Sequence, residues 1–287
     1  MKQYLSLVKF SHTIFAMPFA LTGFFIATTT SGSDFRWQTL LLVLVCMVTA
    51  RNAAMGFNRY LDRDIDAKNP RTQTREIPAG IIQPKAALWF VILNCAVFIA
   101  ATWFINLPCF LLSPVALAVV LGYSYTKRFT WLCHVVLGLG LALAPVGAYL
   151  AVKGHFDWIP VIYGAAVLCW VSGFDVIYAL QDEGFDREQQ LHSIPVWLGR
   201  PRALRLSEWL HLCTAALMVL AARLLFVEAP HTGWLLWIGT GIFLGLLLYQ
   251  HLIVKADDLS RVNLAFFTTN GIASLIFGTF AVLDLLT

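Results

Sequence analysis

Two acidic stretches stand out in this chain of 287 residues because their spacing could support metal chemistry. The first carries Asn58, Asp62 and Asp66, and the second carries Asp182 and Asp186. Residues four apart lie on one face of a helix, so each stretch directs several oxygen atoms the same way. A hard cation such as Mg²⁺ takes oxygen ligands, keeps several waters and recruits phosphate oxygens. The spacing therefore predicts a site for Mg²⁺ and a phosphate-bearing ligand.

The competing interpretation of both stretches is structural pairing of the carboxylates with arginines or lipid headgroups. Asp64 lies off the face that its neighbours share and is expected to point elsewhere. Asp175, seven residues before Asp182, lies inside an apolar run, where a purely solvated carboxylate is costly. Two facing carboxylate clusters also repel each other unless cations lie between them. These facts favour a two-metal diphosphate site over structural pairing.

Three basic residues inside or at the end of apolar runs are further candidates for the site. Arg51 is seven residues before Asn58, two helical turns deeper in an apolar run, and needs an anion there. That anion could be Asp175, a substrate carboxylate or a phosphate, so structural pairing and ligand binding both remain open. Lys127 and Arg128 end another apolar run, where they either mark topology or contact a diphosphate leaving group.

Aromatic and imidazole side chains near these motifs are further candidates. Tyr123, Tyr125 and Tyr178 lie within a few residues of charged positions, and their ring faces could stabilise a carbocation. His12 and His192 are ionisable near neutral pH. A lone histidine is more often a hydrogen-bonded structural residue, so both are minor candidates.

The elements that must position these residues are expected to be membrane helices. Hydrophobic residues make up 59% of the chain and charged residues 13%. Repeated apolar runs of about 20 residues predict an all-α, polytopic membrane protein. No polar linker is long enough to separate domains, so residues 1–287 are expected to form one. About nine spans are predicted, at residues 10–31, 37–58, 86–105, 108–125, 132–152, 157–180, 203–225, 232–253 and 262–285.

The positive charges predict the orientation of these spans. Sixteen of the 20 lysines and arginines precede the first span or follow spans two, four, six and eight. The positive-inside bias places these segments, the N-terminus and both acidic stretches on the cytoplasmic side of a membrane. The net charge of +4 is therefore an orientation signal and gives no reason to expect a nucleic-acid partner.

The two longest polar loops resemble each other and suggest a pseudo-repeat. The first motif loop covers residues 59–85 and the second covers residues 181–202. Each begins where a span ends, carries an Asp-x3-Asp pair and reaches an Ile-Pro step. Membrane folds often place a ligand site between two such halves.

Four sequence elements, in this order, resemble the UbiA family of intramembrane aromatic prenyltransferases. They are Asn58-Arg-Tyr-Leu-Asp62-Arg-Asp-Ile-Asp66, Arg75-Glu-Ile-Pro-Ala-Gly80, Tyr123-Ser-Tyr-Thr-Lys127-Arg128 and Asp175-Val-Ile-Tyr178-Ala-Leu-Gln-Asp182-x3-Asp186. The resemblance implies a helical bundle around a central cavity that opens laterally to lipid. It also implies two Mg²⁺ ions that bridge both acidic motifs to a polyprenyl diphosphate.

The resemblance further implies roles for individual residues. The expected metal ligands are Asn58, Asp62, Asp66, Asp182 and Asp186. The expected catalytic residues are Asp175, Tyr178, Tyr123 and Lys127. The expected substrate-binding residues are Arg51, Asn58, Arg75, Lys127, Arg128 and His192. Many members carry Lys-Ser-Thr where this chain has His192-Ser193-Ile194, so a diphosphate contact there departs from the family pattern.

The implied activity is Mg²⁺-dependent transfer of a polyprenyl group to a small hydroxylated aromatic acid in a bacterial or archaeal-type cell membrane. Residues 9–18 resemble the 4-hydroxybenzoate polyprenyltransferase-like subgroup, some members of which are assigned to menaquinone formation through the futalosine route. Ubiquinone and menaquinone biosynthesis are therefore both expected contexts. Other acceptors known for the family (haem, homogentisate, a chlorophyll precursor or glycerol phosphate) remain alternatives.

Two alternatives come from other classes of protein. A membrane transporter lined by carboxylates would carry acids on both sides of a midplane site, whereas the acids here gather at one face. A degenerate, non-catalytic lipid-binding bundle would be expected to lose at least one motif acid, and none is missing.

Overall fold

A computed structural model describes residues 2–8, 15–30, 35–230 and 232–287, and these residues form helices and turns without any strand. The all-α prediction is confirmed. The helices are, in chain order, α1 Lys2–Leu7, α2 Met17–Thr29, α3 Trp37–Leu61, α4 Arg63–Asp66, α5 Pro84–Ile105, α6 Leu107–Thr126, α7 Cys133–Lys153, α8 Trp158–Ala179, α9 Glu183–Glu188, α10 Ile194–Leu198, α11 Arg200–Glu228, α12 Trp234–Ile253 and α13 Asn270–Leu286.

Eight helical segments of the described chain are long and apolar enough to cross a membrane. They are α3, α5, α6, α7, α8 extended through α9, α11, α12, and α13 with the π-helical turn Leu264–Thr269 before it. These segments correspond to the second through ninth predicted spans. Among the described residues, the first predicted span contains α2, whose 13 residues reach about 20 Å, less than the roughly 30 Å of a bilayer core. Residues 9–14 and 31–34, which flank α2, lie outside the described part.

The corner between α5 and α6 consists of one residue, Asn106. Its side-chain oxygen accepts a hydrogen bond from the Cys109 N–H at 2.9 Å, which caps α6. Its amide donates to the carbonyls of Leu150 and Ala151 near the end of α7 at 2.9 and 3.2 Å. One side chain therefore satisfies a helix start and anchors two antiparallel helices to a third.

Helix α8 lies at the centre of the bundle, packed between α7 and α11. A Cβ atom at Gly138 of α7 would lie 2.5 Å from the Leu168 carbonyl oxygen of α8, so glycine permits the close approach of the two helices. Trp170 of α8 is fully buried and donates its indole N–H to Asn270 of α13 at 2.9 Å. This packing fixes the helix that carries Asp175 and Tyr178.

The outer surface of the long helices is apolar. Trp89, Trp103 and Phe104, for example, are each more than 60% exposed. An aqueous environment would penalise such a continuous apolar surface, whereas lipid does not. The described structure therefore supports a multi-pass membrane protein.

The two motif loops have similar local structures. In the first, α3 ends at Leu61, α4 carries Asp66, and a turn-rich segment leads to α5. In the second, α8 ends at Ala179, a short 3₁₀ turn and α9 carry Asp182 and Asp186, and a turn leads to α10 and α11. The single domain and the pseudo-repeat remain predictions. Both loops contribute residues to the same cavity.

Candidate active site

Both acidic motifs line one cavity of about 620 Å³, which we call the charged cavity. Its walls come from the ends of α3, α6 and α8, from both motif loops and from the start of α7. Apart from His192, every residue that the family resemblance assigns to the site lines it, namely Arg51, Asn58, Asp62, Asp66, Arg75, Tyr123, Lys127, Arg128, Asp175, Tyr178, Asp182 and Asp186. Tyr125, the other candidate tyrosine, is exposed and does not line this cavity.

The first motif places two carboxylates against basic side chains. Asp62, which caps α3, accepts hydrogen bonds from the Asn58 amide at 2.8 Å and the Arg128 guanidinium at 2.7 Å. Asp66 is buried and pairs with Arg75 at 2.7 Å. The side chain of Asp64 is 81% exposed, as the helical spacing predicts.

The second motif repeats this arrangement with different cations. Asp182 accepts two hydrogen bonds from Arg71, one of them from Nε at 2.9 Å, and a third from the Asn69 amide at 3.3 Å. Asp186 is fully buried and pairs with Lys127 Nζ at 2.7 Å. We refer to Asp62, Asp66, Asp182 and Asp186 as the motif carboxylates, and each has its own cationic partner.

Burial and pairing set the charges at this end of the cavity. Burial raises the pKa of Asp62 above its usual value, although Arg128 acts in the opposite direction. Burial disfavours the ammonium of Lys127, but the Asp186 carboxylate outweighs it and raises the pKa of Lys127. Asp182 likewise raises the pKa of Arg71 despite burial. The basic groups therefore stay cationic and are available to a diphosphate.

The donor set of the motifs fits Mg²⁺ only if another ligand contributes. All donors are carboxylate or amide oxygens, which Mg²⁺ prefers. Among the described residues, no three His, Cys, Asp or Glu side chains gather closely enough to hold a metal by themselves. A metal at this site would complete its shell with phosphate oxygens and waters, as the sequence motif predicts.

Asp175 has a partner that the sequence analysis missed, His134 at the start of α7. Its Nδ1 lies 2.7 Å from Asp175 Oδ2, and its Nε2 accepts a hydrogen bond from the Ile194 N–H at 3.2 Å. Arg51, by contrast, makes no ion pair with any carboxylate of the described chain, and its Nε is buried without a hydrogen-bond partner. Asp175 is therefore not the counterion of Arg51.

A second cavity, of about 330 Å³, adjoins the charged one and is almost entirely apolar. Its walls are residues of α3, α5, α6 and α7, and we call it the apolar cavity. Arg51, Met55, Tyr123, Leu137 and Leu141 line both cavities. The two spaces therefore meet at Arg51 and Tyr123.

Tyr178 is held by an aromatic cluster and by Arg71. Its ring stacks on Phe266 with centroids 4.1 Å apart, and Phe267 packs edge-on at 5.7 Å. Arg71 donates a hydrogen bond to the Tyr178 hydroxyl at 2.7 Å, and its guanidinium carbon lies 5.1 Å from the ring centroid. Phe266 and Phe267 belong to the π-helical turn before α13, a feature frequent at functional sites.

The structure does not bring the side chain of His192 to the cavity, because that side chain is exposed. The backbone of His192 instead donates a hydrogen bond to the Lys127 carbonyl at 2.8 Å and ties the second motif loop to the end of α6. His12, the other candidate histidine, lies outside the described residues.

Comparisons with known proteins identify the family and the fold of this chain. A sequence model of the UbiA prenyltransferase family matches residues 16–272. A 4-hydroxybenzoate octaprenyltransferase of Aliivibrio fischeri (strain MJ11) is 27% identical over 246 residues, which cover 84% of this chain and 82% of the relative.

Two solved structures have the same fold. A UbiA homologue from Aeropyrum pernix K1, in its apo form, is 32% identical with a TM-score of 0.84, and the alignment covers 95% of this chain and 98% of that one. A UbiA homologue from Archaeoglobus fulgidus bound to GPP and Mg²⁺ is 22% identical with a TM-score of 0.72, covering 99% and 100%. The chain belongs to the UbiA prenyltransferase family and is a multi-pass membrane prenyltransferase.

Proposed function

We propose that this protein transfers a polyprenyl group from a polyprenyl diphosphate to a hydroxylated aromatic acid of the 4-hydroxybenzoate or dihydroxynaphthoate type, in ubiquinone or menaquinone biosynthesis. The observation that carries the proposal is the guanidinium of Arg51, which lies at the junction of the charged and apolar cavities and has no ion-pair partner among the described residues. A half-buried arginine at membrane depth needs an anion. The carboxylate of an aromatic acid supplies one through a charge-assisted, bidentate contact.

Arg51 and Asp175 define a layer of the site below the motif carboxylates. Arg51 precedes Asn58 by seven residues in α3, and Asp175 precedes Asp182 by seven residues along α8 and its extension. Seven residues correspond to about 10 Å of helix. An acceptor bound in this layer would place its carboxylate at Arg51 and its hydroxyl at Asp175.

The diphosphate belongs to the layer above. Asn58 and the motif carboxylates would hold two Mg²⁺ ions that share their remaining positions with diphosphate oxygens. When bound, Mg²⁺ neutralises the charge that develops on the departing diphosphate. Lys127, Arg128, Arg75 and Arg71 supply further positive charge to the same oxygens.

The isoprenoid tail belongs in the apolar cavity. Tyr123 lines both cavities, so its ring lies where the tail and the diphosphate must join. Tyr123 and Tyr178 would flank the allylic cation and stabilise it through their ring faces. The apolar walls keep water from capturing that cation.

The proposal is tested by incubating purified protein with Mg²⁺, a labelled polyprenyl diphosphate and a panel of acceptors. The panel comprises 4-hydroxybenzoate, dihydroxynaphthoate, homogentisate, haem, a chlorophyll precursor and glycerol phosphate. We expect prenylated product with one of the first two acceptors and no product after chelation of the metal. Binding of the diphosphate without transfer to any aromatic acid would overturn the proposal.

The membrane orientation is part of the same proposal, with the charged cavity facing the cytoplasm of a bacterial or archaeal-type cell. The distribution of basic residues supports it. A cysteine placed at the exposed Lys68, in a cysteine-free background, should react with a membrane-impermeant maleimide only in inverted vesicles. Reaction in intact cells would contradict this orientation. The transporter interpretation is set aside, because the chain belongs to a family of enzymes.

A further inference from the structure

His134 is a buried histidine whose two ring nitrogens both have partners. It lies at the second position of α7, and only 3% of it is exposed. Nδ1 faces Asp175 Oδ2 at 2.7 Å, and Nε2 faces the Ile194 N–H at 3.2 Å. Ser172 also donates to the His134 carbonyl at 3.2 Å, so α8 holds the residue at its backbone as well.

These contacts fix the tautomer of the ring. The Ile194 N–H can only donate, so Nε2 must accept and carries no proton. The single ring proton is therefore on Nδ1 and points at Asp175. A doubly protonated ring would set one N–H against another, so the geometry describes a neutral histidine that donates to a carboxylate.

Asp175 is consequently an oriented carboxylate with one oxygen engaged and one oxygen open. Oδ2 accepts from His134, and within the described part of the chain no protein group donates a hydrogen bond to Oδ1. The side chain is 21% exposed and lines the charged cavity. The open oxygen belongs to the layer that contains Arg51.

We propose that His134 is a positioning residue that holds Asp175 as the ionised acceptor for the hydroxyl proton of the aromatic substrate. This inference rests on the proposed function. As the ring attacks, a ring electron pair forms the new carbon–carbon bond, and the carbon–oxygen bond breaks with its pair left on diphosphate. The hydroxyl proton moves to Asp175 and leaves a neutral dienone.

The remaining step restores the aromatic ring. The substituted ring carbon loses its hydrogen as a proton to the departing diphosphate, and Asp175 returns its proton to the oxygen. One proton and one diphosphate are released for each product, so charge and atoms balance. His134 keeps its own proton throughout, and its contribution is to orient Asp175 and to stabilise its negative charge.

His134→Asn and His134→Gln form a matched pair that separates this role from a structural one. The amide nitrogen of asparagine occupies the position of Nδ1 and can still donate to Asp175. The amide oxygen of glutamine reaches the position of Nε2 and can still accept from Ile194. Both residues are polar and smaller than or similar to histidine, so both variants are expected to fold.

The experiment measures kcat, the KM for the acceptor and the Kd for the polyprenyl diphosphate in both variants, with thermal unfolding in detergent as the folding control. We expect His134→Gln to lower kcat by about 10–100-fold and His134→Asn to stay within about threefold of wild type. The Kd for the diphosphate should change in neither variant.

Other outcomes would overturn the inference. Three results would each show that His134 does not act through Asp175 on the acceptor. The first is an equal kcat in all three proteins, and the second is a larger loss of kcat in His134→Asn than in His134→Gln. The third is a loss of diphosphate affinity in either variant. A wild-type protein that transfers to no aromatic acid would overturn the proposed function and this role with it. An active wild type with an unaffected His134→Gln variant would overturn this role alone.

Discussion

The two layers of the active site differ in how their charged side chains are paired. In the upper layer, the four motif carboxylates pair with four different cations, Arg128, Arg75, Arg71 and Lys127. In the lower layer, about two helical turns away, Arg51 has no carboxylate partner within the described chain, and Asp175 has only the neutral His134. In the upper layer every motif carboxylate contacts a cation, whereas in the lower layer the one cation and the one carboxylate are not paired with each other.

This difference in pairing indicates which ligand each layer binds. Breaking a buried ion pair is costly unless a replacement is supplied. A metal–diphosphate complex supplies one for both partners, since the metal takes the carboxylates and the diphosphate takes the cations. In the lower layer Arg51 has no anion in contact with it among the described residues, and a single carboxylate on a small acceptor supplies one.

The largest effect is expected at the upper layer. Asp62→Asn and Asp182→Asn keep the size of the side chain but remove a negative charge that a metal requires. Each should lower turnover by at least about 10²–10³-fold, measured as product formed at saturating substrates, with unfolding in detergent little changed. Near-normal turnover in either variant would remove the metal role of that motif.

The next largest effect is expected in the lower layer, where a change should affect acceptor binding and leave diphosphate binding unchanged. Arg51→Gln removes the guanidinium that lines both cavities at their junction. The KM for an aromatic acid should rise by about 10–100-fold, the loss of one charge-assisted contact, while the Kd of the diphosphate stays the same. Arg63→Gln, at a partly exposed arginine outside the cavity lining, is the control. A matching rise in the diphosphate Kd would place Arg51 in the upper layer instead.

A smaller effect is expected at the aromatic support of Tyr178. Phe266→Leu removes the ring that stacks on Tyr178 at 4.1 Å but keeps an apolar side chain. Such a ring pair contributes about 0.5–1.5 kcal/mol, so kcat should fall by about 2–10-fold. Unchanged kcat would show that the orientation of Tyr178 does not depend on this stack.

The smallest effect is expected at Asp64. This carboxylate is exposed and lies off the face of the motif. Asp64→Asn should therefore leave turnover within about twofold of wild type, as for most exposed substitutions. A loss comparable to that of Asp62→Asn would contradict the assignment of ligands by helical face.

Local spacing predicted much of this architecture. The lengths of the apolar runs located eight spans to within a few residues, and the i, i+4 pattern distinguished Asp62 from Asp64. The first predicted span stays a prediction, because residues 10–14 and 31 of it lie outside the described part and the described helix within it is Met17–Thr29.

Contacts between distant segments could not be predicted from local patterns. Arg71 meets Asp182 across 111 residues, and His134 meets Asp175 across 41. From the sequence, Arg71 is only one of the basic residues that indicate orientation. The sequence does carry a signal for His134, since a histidine within an apolar run needs a polar partner. His192, which the family motif favours as a ligand contact, is exposed.

The most direct test of the two-layer account is the selectivity for an acceptor carboxylate. The better acceptor of 4-hydroxybenzoate and dihydroxynaphthoate is compared with the same ring without its carboxylate. The ratio of the two kcat/KM values, acid over carboxylate-free ring, is measured in wild type and in Arg51→Gln. The account predicts a ratio of at least about 10–100 in wild type and a ratio near one in the variant. An equally large ratio in both proteins would show that Arg51 does not bind the acceptor, and the account would be wrong.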